Sequence, residues 1–198
     1  AFRKLHRLEL VNNSILVKLI VCLTGMPGSG KSTIVSALKT KGFEALNLGD
    51  GVRAEAKRRN LEPTGDNLGK LMLELREKNG PGAIAALLTE PIKNSQSKVI
   101  IIDGVRSTAE IEVLKNVGSV KLLSIEATAD TRYKFLSSRG RSDDPTTREK
   151  FEERDNRELG VGIGESIAIA DETISNSNIT LDELTELAYK VIEKWTDT

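Results

Sequence analysis

The sequence predicts an α/β fold, a three-layer sandwich with helices on both faces of a parallel sheet. Three observations carry that prediction. Segments of strand character alternate with segments of helical periodicity from Leu19 to Trp195, and such alternation builds a parallel sheet through right-handed crossovers. The run Val99-Ile100-Ile101-Ile102-Asp103 is apolar at successive rather than alternate positions, as in a central strand covered on both faces. Between the first strand and the first helix lies Gly25-Met26-Pro27-Gly28-Ser29-Gly30-Lys31-Ser32. It meets G-x-x-x-x-G-K-[ST], the Walker A phosphate loop, at every fixed position. Strand, glycine loop and helix is the setting that motif requires.

Each element has its reason in the chain. Residues 1–14 read as an N-terminal extension, and 15–198 as one phosphate-loop domain long enough for a buried core. The extension sets Arg3, Lys4, His6 and Arg7 around Leu5, Leu8 and Leu10, the pattern of a short amphipathic arm or a solvated tail. The apolar stretch Ile15 to Leu23 contains Lys18 and is too short to span a bilayer. It enters the glycine loop with no cleavage site, so it reads as neither anchor nor signal peptide, and a cytoplasmic location is expected. Leu19 to Leu23 is the first strand, and Ile34, Val35, Ala37 and Leu38 give the next helix its apolar face. Glu44 to Leu48 reads as a short second strand ending at Gly49-Asp50-Gly51-Val52-Arg53.

A helical stretch to Asn60 follows, then the loop residues Glu62-Pro63-Thr64-Gly65-Asp66. Leu68, Leu71, Met72 and Leu75 recur at the spacing of an amphipathic core helix, which Asn79-Gly80-Pro81-Gly82 breaks before Ala83 to Leu88 resumes. After the central strand come a helix with Ile111, Val113 and Leu114, a strand from Val120 to Ile125, and a helix from Ala129 to Ser138. Ile163 to Ala170 is a further helix and Thr173-Ile174-Ser175 the last strand. Leu181, Leu184, Leu187, Ala188, Val191 and Trp195 form the closing amphipathic helix.

Composition narrows the partners. Lys+Arg and Asp+Glu each number 29, a formal net charge of zero. That argues against a membrane or nucleic-acid polyanion, although the basic arm leaves RNA open. One cysteine and one histidine are too few for a zinc site. Cys22, inside the first strand, reads as a small buried hydrophobe in a reducing compartment.

The chemistry gathers at strand ends, where ligands of parallel sheets sit. Backbone N–H groups from Gly25 to Thr33 would turn onto phosphate oxygens, and Lys31 would add a mobile positive charge for the β- and γ-phosphates. The hydroxyl of Ser32 can ligate Mg²⁺, with Asp103, at the end of its buried strand, as a carboxylate that holds the metal or its water, or as a loop cap before Gly104. ATP and Mg²⁺ are therefore the expected cofactors. Arg53 follows Asp50 by three residues, and Arg106 follows Asp103 likewise. The two guanidinium groups could clamp a second anionic group or pair with their own aspartates. The segment from Arg139 to Leu159 carries Arg139, Arg141, Arg148, Arg154 and Arg157 and reads as a lid whose arginines close over the migrating phosphoryl group. Glu149, Glu152, Glu153 and Glu158 could instead satisfy several of them.

These motifs resemble known kinases. Gly49-Asp50-Gly51-Val52-Arg53 resembles the G-D-x-x-R element of adenylate kinases, whose arginine binds the acceptor phosphate. Asp103-Gly104-Val105-Arg106 is similar to their D-G-x-x-R, one residue shorter, and Arg141-Ser142-Asp143-Asp144 followed by Arg154 is similar to their lid-flanking R-x-D-D…R. Ala170-Asp171-Glu172-Thr173-Ile174-Ser175-Asn176 resembles the A-D-x-x-I-x-N stretch of dephospho-CoA kinases, where the following loop borders the adenine. With Asn67-Leu68-Gly69-Lys70 and Gly160-Val161-Gly162-Ile163-Gly164, the set is most similar to archaeal adenylate-kinase-like and dephospho-CoA-kinase-like proteins, from about Leu19 to Trp195.

That resemblance implies a phosphate-loop NTPase sandwich around five parallel strands in the order 2-3-1-4-5. It implies transfer of the ATP γ-phosphoryl group to a small nucleotide-like acceptor, with Asn176 near the base. The Asp50–Arg53 spacing favours a nucleoside monophosphate over dephospho-CoA. For a hydroxyl acceptor such as dephospho-CoA, Asp50 would be the candidate base. The alternatives are a slow ATPase acting as a regulatory switch and an RNA or protein assembly module. No N-K-x-D guanine-reading element is present.

Overall fold

Five parallel strands stand in the order β2-β3-β1-β4-β5, the order the resemblance implies. The structure is a computed structural model and describes residues 17–140 and 144–197. The extension and Arg141 lie outside the described residues. The strands are β1 (Leu19–Thr24), β2 (Glu44–Asn47), β3 (Val99–Asp103), β4 (Ser119–Glu126) and β5 (Glu172–Ser175). Helix α1 (Lys31–Thr40) follows the glycine loop, and α2 (Leu48–Arg58), α3 (Gly65–Asn79), α4 (Ala83–Ala86) and α5 (Thr89–Asn94) lead from β2 to β3. Helix α6 (Thr108–Lys115) leads to β4, and α7 (Ala129–Arg139), α8 (Arg148–Val161) and α9 (Ile163–Ala168) lead to β5. Helix α10 (Leu181–Thr196) closes the chain.

The two-residue period of a strand divides the core. Ile20 and Cys22 of β1, with Ile100 and Ile102 of β3, face a cluster built on α2, α3, α4 and α6 through Val52, Leu71, Leu75, Ile84 and Leu114. Val21 and Leu23, with Ile101 and Leu123, face the other way, onto Ile34 and Leu38 of α1 and Leu184, Ala188 and Ile192 of α10. Continuous apolarity in the central strands thus fills two cores at once. Cys22 is buried and free, and burial raises its thiol well above the ordinary range. No helix among the described residues is long and apolar enough to cross a membrane.

One boundary departs from expectation. Strand β2 stops at Asn47, because the Asn47 side-chain oxygen accepts from Gly49 N at 2.7 Å and Asp50 N at 3.3 Å and so caps α2. Asp50 therefore lies in the first turn of α2 rather than at a strand end. Likewise the arginine-rich segment is chiefly one helix, α8, capped by Thr147 and ended by Gly162 in the left-handed region (φ 106°).

Candidate active site

The glycine loop is shaped by contacts to elements far along the chain. Gly25 has φ 138°, and a Cβ there would stand 2.2 Å from the carbonyl oxygen of Ile125, so only glycine fits. Gly30 has φ 109°, and a Cβ there would stand 2.6 Å from Asn176 Nδ2. Asn176 is buried and donates that Nδ2 to Ser29 O at 2.9 Å. Its side chain thus braces the loop backbone from the end of β5.

A second brace is Arg132 of α7. Its guanidinium donates to Pro27 O at 3.1 Å and bidentately to Asp155 of α8, at 2.8 and 2.5 Å, with the Phe151 ring 4.8 Å away. Loop apex, α7 and α8 therefore meet on one buried ion pair.

Gly30 begins α1 without a side-chain cap, and no acid occupies the first turn. The positive end of the helix is left for an outside anion. Lys31 Nζ curls back onto the loop, 2.5 Å from Gly25 O, 3.1 Å from Met26 O and 3.3 Å from Ser29 Oγ. Burial lowers its pKa to about 8, with Asp103 acting in the opposite sense. At the neighbouring strand end, Asn47 Nδ2 donates to Asp103 Oδ2 at 3.0 Å. The parallel register sets Asn47 directly beside Asp103, so one asparagine both caps α2 and aims the carboxylate.

Lys31, Ser32 and Asp103 line a cavity of about 150 Å³, together with Gly25, Pro27 and Gly28 of the loop. Arg106, Arg139, Arg154 and Glu158 close its other side. Each arginine has a carboxylate. Arg106 Nε is 3.0 Å from Glu158 Oε2, Arg139 pairs with Asp144, and Arg154 Nη1 is 3.9 Å from the same Asp144. The backbone N–H of Arg106 donates to Glu110 Oε2 at 2.8 Å, and burial raises the pKa of Glu110.

Other residues named from sequence stand elsewhere. Arg53 pairs with Asp50 at 2.7 Å, both largely exposed, and neither lines this cavity. Arg157 is exposed and does not line it either. Thr33 and Asn176 border an apolar cleft of about 210 Å³ with Phe135, Leu136 and Leu181. Met26 faces a third hollow, beside Thr128 and Arg132.

The donor set suits a Mg²⁺-bound polyphosphate. Ser32 and Asp103 offer a hydroxyl and a carboxylate, both hard oxygen ligands. Among the described residues no cluster of three or more His, Cys, Asp or Glu could enclose a metal. A cation here would complete its shell with phosphate oxygens and water, which is the habit of Mg²⁺.

Asn47, Glu110, Arg132 and Asp155 escape sequence reasoning. The one trace of Arg132 is its place four residues before Leu136, a charge on the face that α7 buries.

Comparison with known proteins shows the family and the fold. The AAA domain family matches residues 24–152. A UPF0200 protein of Pyrococcus abyssi is 41% identical over 165 residues, 81% of this chain and 88% of that protein. One from Methanothrix thermoacetophila is 42% identical over 179 residues, 88% of this chain and 97% of its own length. Among solved structures, TT1252 from Thermus thermophilus superposes with TM-score 0.64 at 19% identity, covering 89% of this chain and 98% of its own. A shikimate kinase from Bacteroides thetaiotaomicron gives 0.60 at 14% identity, covering 88% and 98%. The last two share the fold.

Proposed function

Since this chain belongs to the UPF0200 family and carries the AAA domain, we propose that it is an ATP-dependent phosphotransferase acting on a small nucleotide-like acceptor. The observation that carries this reading is one convergence. An uncapped helix N-terminus, a loop lysine and an aspartate held by Asn47 face a cavity whose far wall is arginine. That wall suits transferred-phosphoryl charge, which phosphotransferases stabilise with fixed cations in place of covalent chemistry. The shared fold of a shikimate kinase, a phosphotransferase by name, is consistent with it.

In this reading Lys31 pairs with the β- and γ-phosphates, and the N–H groups at the start of α1 hold the remaining oxygens. Ser32 and Asp103 would hold Mg²⁺, which when bound neutralises phosphate charge. The apolar cleft of Thr33, Phe135, Leu136 and Leu181 seats the base, Phe135 and Leu181 being 39% and 48% exposed in the protein alone. Arg106, Arg139 and Arg154 stabilise charge on the migrating group. Preference for a nucleoside monophosphate rests on the Asp50–Arg53 spacing, and Arg53, paired with Asp50, does not line this cavity.

The test is ADP release against a panel of nucleoside monophosphates and dephospho-CoA, with Lys31→Ala beside the wild type. At least one acceptor should stimulate ADP release, and Lys31→Ala should lower turnover on the order of 10²-fold or more while keeping the circular dichroism of the wild type. Equal turnover by the variant refutes the reading. ADP release that no acceptor stimulates identifies a regulatory ATPase.

A further inference from the structure

We propose that the acceptor is phosphorylated on a hydroxyl group and that Glu158 receives its proton. The proposal rests on the phosphotransferase reading above and concerns the acceptor side of the same cavity.

Two observations carry it. The first is charge. Every arginine at the cavity already has a carboxylate, Arg106 with Glu158, and Arg139 and Arg154 with Asp144, whose side chain is only 7% exposed. Arg53, the remaining candidate for an acceptor phosphate, is held by Asp50 outside. A phosphate placed here to receive the γ-phosphoryl group would have to displace these carboxylates, whereas a neutral hydroxyl group takes that position without disturbing the balance.

The second is Glu158 itself. Its side chain is 12% exposed, and it lines the same cavity as Lys31, Ser32 and Asp103. Its buried Oε2 lies 3.0 Å from Arg106 Nε but off the N–H direction. That oxygen therefore has a charge partner and accepts no hydrogen bond from any described residue. A buried carboxylate oxygen without a donor is costly beside a site for a polyphosphate. A hydroxyl of the acceptor supplies the missing donor. Asp50, the carboxylate suited to this task by sequence alone, is 73% exposed and lines a different groove.

The step then balances. The acceptor oxygen forms a bond to the γ-phosphorus as its proton passes to the Glu158 carboxylate. The bond from the γ-phosphorus to the bridging oxygen breaks, and its electron pair leaves with ADP. Arg106 stays beside Glu158 and limits the charge that carboxylate presents to the phosphates.

The experiment uses the full chain with ATP, and adenosine, dephospho-CoA and the four nucleoside monophosphates as acceptors. Products are read by ³¹P NMR, which separates a phosphate ester from a phosphoanhydride. An ester is expected. With the best acceptor, Glu158→Gln should lower kcat about 10²- to 10⁴-fold while the acceptor KM stays within threefold, and Glu158→Asp should recover part of the loss. Binding of a fluorescent ATP analogue should be unchanged in both variants. An anhydride product, no product with any of these acceptors, or a Gln variant whose kcat stays within threefold overturns the proposal. If Glu158 serves only to neutralise Arg106, the Gln variant loses stability or KM and keeps its kcat. Failure of the phosphotransferase reading is separable, because it appears as loss of ATP binding or indifference to Lys31→Ala.

Discussion

Replacing Asp155 by Asn tests whether the buried pair beneath the glycine loop holds the site together. The change keeps the shape of the side chain and removes its charge. Arg132 is then left with uncharged partners only, the Pro27 carbonyl at 3.1 Å, the Phe151 ring at 4.8 Å and one amide oxygen, for a side chain only 7% exposed. Breaking a buried pair from one side costs about 3–5 kcal/mol, because an uncompensated charge remains. One surviving hydrogen bond, from the Arg132 guanidinium to the amide oxygen, places Asp155→Asn at the low end, about 3 kcal/mol. For a domain of this size that is a fall in Tm of about 6–12 °C.

Urea unfolding followed by circular dichroism measures the free energy, provided the unfolding midpoint shifts without a change of slope. The pair Arg132→Met with Asp155→Leu supplies the control. Removing both charges should restore most of the loss, since apolar replacement of a buried pair is often neutral or better. A single variant costing under about 1 kcal/mol, or a double variant costing the sum of the singles, would show that the pair is a solvated contact and not a brace.

Two further outcomes are expected. Glu55 is held by hydrogen bonds from Arg58 and Arg59, which lower its pKa from 4.5 to about 2. A depressed carboxylate contributes stability above pH 4.5 that is lost as pH falls towards 2. The Tm of Glu55→Gln should therefore lie below wild type at pH 6 and meet it near pH 2, and parallel curves would contradict the assignment. Gly25→Ala sets a Cβ against the backbone oxygen of Ile125, where no side chain can yield. It should cost about 2 kcal/mol or more by urea unfolding, and an unmoved midpoint would mean the loop adopts another conformation.

The scaffold is legible in the sequence because local signals agree with one another. The continuous apolar run of β3, the helical stripe of α3 and the fixed spacing of the glycine loop each point to one architecture. The meeting of Lys31, Ser32 and Asp103 at one cavity follows, since the loop after β1 and the end of β3 are neighbours in the parallel sheet. The side chains around them do not. Asn47 looks like any turn residue until pairing with β3 sets it beside Asp103. Glu158 lies in an acid- and arginine-rich helix, where helical spacing offers Arg154 four residues earlier and gives no hint of Arg106. Arg132 and Asp155 come from different helices, and their meeting depends on how α7 and α8 pack, which no short window of sequence contains.

The hydrogen bond from Asn176 to Ser29 spans 147 residues. The phosphate loop is thus among the first parts of the domain to leave the ribosome, while one of its supports is among the last. At roughly 5–20 residues per second the interval is about 7–30 s. Strand β1 waits as well, since its neighbours β3 and β4 follow by some eighty and a hundred residues, roughly, in the register that pairs Leu19 with Val99 and Ser119. Throughout that time the nascent chain carries an intact Walker sequence with no buttressed loop, and its apolar central strand has no partner. The supported form of the phosphate loop therefore comes to this protein late in its synthesis, with the docking of β5 that brings Asn176 to Ser29.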